Sequence, residues 1–138
     1  MNSSPSAGLK QRVSSVVDSS ALLTLIFDEP GASLVETTLG DGAIVSSVNL
    51  SEVVAKLSDS QSQEQARSSL QSLKFDVAAF GEDDAWLSGT LRAQTRDLGL
   101  SLGDRACLAL AISLRLPVVT ANRAWNQLDL GVEVVLCR

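Results

Sequence analysis

The chain has 138 residues, 45% of them hydrophobic, which is enough for one domain with a core of its own. It has no histidine and only two cysteines, so imidazole catalysis and a structural zinc site are excluded, and chemistry must come from carboxylates, hydroxyls, amides or guanidinium groups with oxygen-ligated cations. The net charge of −5 excludes a protein that binds nucleic acid through bulk positive charge.

The N-terminal segment is polar and ends in basic side chains, without the apolar run of a signal peptide or a membrane anchor. We predict a disordered leader over residues 1–12 and one folded domain over residues 13–138. Cys107 lies in an apolar helical pattern and Cys137 near the C-terminus, so no disulfide framework is expected. The reducing cytoplasm is the location that fits two unpaired cysteines.

From residue 13, short β-rich runs alternate with helical patterns, which is typical of an α/β fold with a mostly parallel sheet. Strands are predicted over residues 13–17, 43–46, 75–80, 118–120 and 132–137. Helices are predicted over residues 21–27, 32–39, 50–57, 82–98, 104–116 and 123–128, with a turn at 40–42 and a weak helix or mobile arm over 58–72. The run 106–116 is apolar nearly all round and is expected to be the most buried helix.

Polar side chains follow several of the predicted strands. In open parallel sheets, ligands bind beyond the carboxyl ends of the strands. Asp18 follows the first strand and Asn122 follows the fourth, so both are expected at the same edge. Glu52 lies one turn into the helix after the second strand, which places it near that edge too. Asp104 follows a helix, so this rule does not determine its position.

Each of these residues also has a purely structural interpretation. Asp18, Asp104 and Asn122 can each be the N-cap of a following helix. The spacing of Asn49 and Glu52 fits a capping box. Helical periodicity also turns Glu52 away from the apolar face of the helix predicted over residues 50–57. Taken alone, the pattern therefore predicts that Glu52 is solvated. The glycine-rich phosphate loops of nucleotide-binding folds are absent from the sequence.

Five short segments share their residues, order and spacing with one known family. They read VVDSSALL at 16–23, DEPG at 28–31, VNLSEV at 48–53, LSLGDRACLA at 100–109 and TANRAW at 120–125. Over about residues 13–138 the chain resembles the PIN-domain ribonucleases, and in particular the VapC toxins.

This resemblance implies a fold and an activity. The fold is a three-layer α/β/α sandwich on a parallel sheet. The activity is cleavage of RNA that depends on Mg²⁺ or Mn²⁺, in a toxin that forms a homodimer and is inhibited by a VapB-type antitoxin. Apolar helices over residues 21–27 and 50–57, with the arm after them, are expected to form the groove for an antitoxin segment.

The resemblance also assigns roles to residues. By position, Asp18, Glu52 and Asp104 match the acidic cluster of the family, while its fourth acidic position falls on Asn122. In this assignment Asp18 and Asp104 hold the metal ion, and Glu52 orients or deprotonates a metal-bound water. Asn122 would support the site together with Ser20 and Thr120.

Asn122 leaves a second interpretation open, because an amide oxygen can ligate a metal but brings no charge. In this alternative the chain is a catalytically weakened PIN-like module that binds a partner or RNA.

The charge is unevenly distributed along the chain. Residues 92–123 contain five arginines and two aspartates, whereas residues 13–60 contain one lysine and seven acids. A basic flank beside an acidic pocket suits a nuclease that binds phosphate through arginine, but the same arginines are equally typical of an ordinary helix surface. Of the two tryptophans, Trp125 follows a strand on a short helix and is expected to pack in the core.

Overall fold

The computed structural model describes residues 12–138, so the predicted leader lies outside the described residues except for Arg12. The strands are β1 (Ser15–Val17), β2 (Ala43–Ser46), β3 (Asp76–Ala78), β4 (Val118–Thr120) and β5 (Val134–Leu136). The helices are α1 (Ser19–Ile26), α2 (Ala32–Asp41), α3 (Ser47–Leu57), α4 (Gln63–Gln71), α5 (Glu82–Gln94) and α6 (Leu102–Leu114), with short 3₁₀ helices at Arg96–Leu98 and Arg123–Gln127. Within this part of the chain, no helix has the length and apolar character needed to span a membrane.

All five strands are parallel and lie in the order β3-β2-β1-β4-β5. Val16 of β1 pairs with Ile44 of β2 on one side and with Val118 of β4 on the other. The chain moves outward from β1 to β3 and then returns to β4 on the opposite side of β1. This reversal makes the carboxyl ends of β1 and β4 the switch point of the sheet, where α/β folds bind their ligands.

The sheet is covered by helices on both faces. Adjacent side chains of a strand point to opposite faces, and Val16 and Val17 of β1 are both fully buried. Val17 packs in a core with α1 to α4, and Val16 in a second core with α5 and α6. The predicted α/β/α sandwich is therefore confirmed, with a sheet that is entirely parallel.

The predictions about the core are also confirmed. The most buried helix is α6, with seven buried residues. Trp125 is fully buried in the same core. Cys107 and Cys137 are both free.

Of the two alternatives predicted for residues 58–72, the helix is confirmed, since α4 begins there with a capping box between Ser62 and Gln65. Other predicted boundaries were wrong for local reasons. The predicted turn at 40–42 is shorter, because Asp41 is the last residue of α2 and Gly42 is its C-cap. The helix predicted to reach residue 98 ends at Gln94, and a 3₁₀ turn leads to Gly99, which adopts a left-handed conformation.

Candidate acidic site

Asp18 lies at the switch point of the sheet, between the end of β1 and the start of α1. Its side chain is 4% exposed. Asp18 Oδ1 accepts hydrogen bonds from the Ala21 N–H at 2.9 Å and from Ser20 Oγ at 2.8 Å, and Oδ2 accepts one from Thr120 Oγ1 at 2.6 Å. Asp18 is thus the predicted N-cap of α1, and it is also tied to the end of β4.

Burial makes the ionised form of this carboxyl group costly. Burial raises the pKa of Asp18 from 3.8 to about 6, against the opposing effect of the hydrogen bonds from Thr120, Ala21 and Ser20. The negative charge of Asp104 raises it further. Asp18 therefore lacks a positive partner in a place where one would stabilise its charge.

Glu52 projects from α3 toward α1 and α6. Its Oε1 accepts hydrogen bonds from Ser19 Oγ at 2.8 Å and from Asn49 Nδ2 at 2.9 Å. The same Asn49 Nδ2 also donates to the Gly103 carbonyl oxygen at 3.1 Å. A β-carbon on Gly103 would collide with the Glu52 carboxyl group, so a side chain there would push this carboxyl group out of its position.

The prediction that Asn49 caps α3 was wrong. The N-cap is Ser46, whose Oγ accepts a hydrogen bond from the Val48 N–H at 3.2 Å. Asn49 therefore lies inside α3 and is 1% exposed, and Glu52 is partly buried instead of solvated.

Sequence reasoning missed the role of Asn49. The face of α3 that enters the core is formed by Asn49, Val53 and Leu57, at four-residue spacing. The sequence signal for this role is the four-residue spacing that places Asn49 on the same helix face as Val53 and Leu57. Asn49 Oδ1 is buried without a hydrogen-bond partner among the described residues. The hydrogen bonds of this side chain are therefore those that its amide nitrogen donates.

Asp104 lies in the first turn of α6. Its Oδ2 accepts a hydrogen bond from the Ser101 N–H at 3.0 Å, and Ser101 Oγ accepts one from the Asp104 N–H at 3.2 Å. The N-cap is therefore Ser101, and the interpretation of Asp104 as the N-cap was wrong: it is the acidic partner in a capping box. Asp104 directly follows Gly103, the residue against which the Glu52 carboxyl group packs.

Cys107 lies one turn further along α6, and its thiol is within electrostatic reach of all three acids. Burial raises the pKa of its thiol well above the ordinary value, and the charges of Asp18, Asp104 and Glu52 act in the same direction. The three carboxylates therefore all lie close enough to α6 to act on Cys107, although they belong to three different helices: Asp18 caps α1, Glu52 lies midway along α3 and Asp104 is in the first turn of α6.

Asn122 lies at the margin of this cluster. It is exposed, and its Oδ1 accepts a hydrogen bond from the Ala124 N–H at 3.0 Å, as the capping interpretation predicted. Its own N–H donates to Thr120 Oγ1 at 3.0 Å. Asn122 is thus linked to Asp18 through Thr120, at the same edge as predicted.

The donor chemistry of the cluster suits a hard divalent cation. Within residues 12–138, no three acidic or cysteine side chains are grouped closely enough to define a metal site by themselves. In the same residues the one salt bridge is between Arg138 and Glu29, so no arginine or lysine neutralises Asp18, Glu52 or Asp104. Oxygen donors without a counter-charge, one of them buried, fit Mg²⁺ or Mn²⁺.

Fold and site together define a class of protein. It is a parallel α/β/α domain that gathers carboxylates at the switch point of its sheet. A family model described as PIN domain matches residues 15–130, and the chain belongs to the PIN domain family.

Solved structures support the fold. A toxin–antitoxin complex from Klebsiella pneumoniae aligns with a TM-score of 0.73 and 23% identity, over 91% of this chain and 98% of that one. The DNA-bound VapBC of Salmonella typhimurium aligns with a TM-score of 0.73 and 18% identity, over 92% and 100%. VapBC-5 of Mycobacterium tuberculosis aligns with a TM-score of 0.60 and 21% identity, over 91% and 99%. No curated protein matches the chain by sequence.

Proposed function

We propose that this protein is a metal-dependent endoribonuclease and the toxin of a VapBC-type toxin–antitoxin pair. The observation that carries the proposal is the convergence of Asp18, Glu52 and Asp104 at the start of α6, in a chain of the PIN domain family. The similarity of the fold to structures of VapBC complexes supports the toxin assignment.

In this proposal Asp18 and Asp104 hold Mg²⁺ or Mn²⁺. When bound, the ion supplies a positive charge that stabilises the phosphate as negative charge develops on it, and it lowers the pKa of water. The buried Asp18 and its neighbour Asp104 would gain the counter-charge that they lack.

The remaining steps depend on how the chain holds its own carboxylates. Three donors from α1 and β4 fix both oxygens of Asp18, so its orientation is set before substrate binds. Ser19 and Asn49 both donate to Oε1 of Glu52, and no hydrogen bond within the described residues engages Oε2. We assign Oε2 of Glu52 as the atom that orients the attacking water and accepts its proton.

Asn122 favours one alternative function. Its side chain is neutral, exposed and already engaged in a cap, so it adds no charge to the cluster. A catalytically weakened module that binds RNA or a partner is therefore the second candidate.

The proposal is tested with purified protein and a single-stranded RNA in the presence of Mg²⁺ or Mn²⁺. Asp18→Asn and Asp104→Asn are each expected to lower the rate of cleavage by roughly 100-fold, while the exposed Asp59→Asn serves as a control. Undiminished cleavage by both site variants would refute the assignment. If the wild-type protein neither gains thermal stability with Mn²⁺ nor arrests growth when induced, the binding module is favoured instead.

An apolar cleft is the surface that we assign to the antitoxin. It lies between α3 and α4, has a volume of about 400 Å³ and is lined by Leu50, Val54, Leu70 and Val77 among others. It includes the arm that was expected in this role, but α1 does not line it. We also propose a cytoplasmic homodimer, whose mass is measured directly by light scattering in solution.

A further inference from the structure

A second cleft, of about 360 Å³, lies between the C-terminal end of α5 and the N-terminal end of α6. Three arginines line it, Arg92, Arg96 and Arg105, together with the hydroxyl residues Thr95 and Ser101. No acidic side chain belongs to its lining. The cleft is therefore a concentration of positive charge in a protein whose net charge is negative.

The arginines are not used for the protein's own ion pairs. In the part of the chain that the structure describes, none of the three pairs with a carboxylate. Arg105 donates from Nη1 to the Ser88 carbonyl oxygen at 3.0 Å, and its Nε is buried without a partner there. The guanidinium is thus anchored to α5 through the Ser88 carbonyl oxygen, and no carboxylate neutralises its charge.

A capping role does not explain these arginines either. Positive side chains favour the C-terminal end of a helix such as α5. There, however, the Leu91 carbonyl oxygen accepts hydrogen bonds from the N–H and from the hydroxyl group of Thr95. Arg92 and Arg96 are exposed and make no hydrogen bond with another described side chain. Their charges are available to a ligand.

The cleft and the acidic site share the first turn of α6. Ser101 lines the cleft and donates its N–H to Asp104, and Arg105 is the residue after Asp104. An RNA strand that runs from the acidic site across the first turn of α6 would therefore contact the arginines. RNA continues on both sides of the bond that is cut, and its next phosphates need positive charge beside a cluster of acids.

We propose that this cleft binds backbone phosphates of single-stranded RNA next to the bond that is cut, an inference that rests on the proposed nuclease function. The flat guanidinium groups of Arg92, Arg96 and Arg105 suit paired hydrogen bonds to phosphate oxygens. Contacts of this type position the strand without reading its sequence.

The test measures binding of a fluorescent single-stranded RNA by anisotropy over a range of KCl concentrations. EDTA is present, so the strand is not cut. The double variant Arg92→Gln/Arg96→Gln is compared with Lys56→Gln/Arg115→Gln, which removes two exposed basic side chains that line neither this cleft nor the apolar one. We expect Arg92→Gln/Arg96→Gln to bind RNA about tenfold more weakly. The slope of log affinity against log salt concentration should be smaller by about 1.4, as for two lost phosphate contacts. Lys56→Gln/Arg115→Gln should bind like the wild type.

Three results would overturn the proposal. The first is an RNA affinity of Arg92→Gln/Arg96→Gln equal to that of Lys56→Gln/Arg115→Gln. The second is an unchanged RNA affinity with loss of thermal stabilisation by inorganic phosphate, which would make the cleft a site for a free anion. The third is weaker binding of hexaglutamate but not of RNA, which would assign the cleft to an acidic protein.

The two proposals fail in different ways. Asp18→Asn is expected to bind the RNA and to cut it roughly 100-fold more slowly than the wild type. If Asp18→Asn and Asp104→Asn both cut RNA at the wild-type rate, the assignment of the acidic site fails, whereas the comparison of basic-residue variants in EDTA does not depend on cleavage.

Discussion

Glu52 occupies the space that a side chain on Gly103 would fill. This contact lets α3 approach the first turn of α6, and it is supported by the hydrogen bond from Asn49 to the Gly103 carbonyl oxygen. Because Gly103 directly precedes Asp104, the same contact brings two carboxylates from distant parts of the chain together.

Gly103→Ala tests this close approach. Alanine normally stabilises a helix relative to glycine by about 1 kcal/mol, but here its methyl group must displace Glu52. We expect RNA cleavage to fall by roughly tenfold or more, since a displaced catalytic group loses its alignment. Gly89→Ala in α5 is the matched control, because nothing lies within 4 Å of its added methyl group. Equal cleavage by the two variants would contradict the assignment of Glu52.

Asn49→Leu tests whether Asn49 acts through Glu52. The substitution keeps a branched side chain but removes the amide nitrogen that donates to Glu52 and to the Gly103 carbonyl oxygen, so the free energy of unfolding should fall by about 1–3 kcal/mol. Glu52 loses one of its two donors, so we expect kcat to fall several-fold with little change in KM. The exposed Asn126→Leu is the control. A variant that loses stability but not activity would make Asn49 a purely structural residue.

The sequence predicted the alternation of strands and helices well, because each strand is a short apolar run and each helix has its own caps. It also placed Asp18 and Asn122 at one edge, since both follow parallel strands. Helical periodicity was wrong in predicting a solvated Glu52, and the strand rule left the position of Asp104 undetermined, because both positions depend on how α3 and α6 pack. Local spacing cannot show that Gly103 leaves room for a carboxylate 51 positions earlier in the chain.

The stability of the metal-free protein should depend on the ionisation of Asp18. The pKa of Asp18 is about 6 in the folded protein and near 3.8 in the unfolded chain, so the folded state binds this proton more tightly. Asp18 therefore adds stability that is fully present below pH 4 and is lost as the pH rises through 6. The loss amounts to about 3 kcal/mol.

Urea denaturation in EDTA between pH 4 and 7 measures this effect. The free energy of unfolding should fall more steeply with pH in the wild type than in Asp18→Asn. The exposed Asp41→Asn is a control for the loss of one carboxylate and should keep the steep dependence. Parallel curves for wild type and Asp18→Asn would show that Asp18 is not the group responsible.

Asn122→Asp adds a charge where the family pattern has one. Aspartate caps a helix as well as asparagine does, so the Ala124 N–H should keep its partner and the fold should not change. We expect Mn²⁺ to bind about fivefold more tightly, corresponding to ~1 kcal/mol for one exposed charge. Titration calorimetry of Asn122→Asp beside Asn126→Asp measures the difference, and equal affinities would place Asn122 outside the site.

Cys107 should be chemically inert in the folded protein. Its thiol is fully buried, and burial together with three nearby carboxylates raises its pKa. Because the thiolate is the reactive form, iodoacetamide should modify Cys107 only when the protein unfolds. Mass spectrometry of the alkylated native and urea-treated protein checks this. Rapid modification of Cys107 under native conditions would mean that α6 opens beside the acids.

The hydrogen bond from Thr120 to Asp18 joins residues that are 102 positions apart. During synthesis the N-terminal strand leaves the ribosome long before β4 does, and β1 must wait for β4 as its neighbour in the sheet. Asp18 therefore receives its final donor only when nearly the whole domain has been translated. A chain released before β4 would carry Asp18, Glu52 and Asp104 without the Thr120 donor that holds Asp18, so the proposed activity requires nearly the full domain.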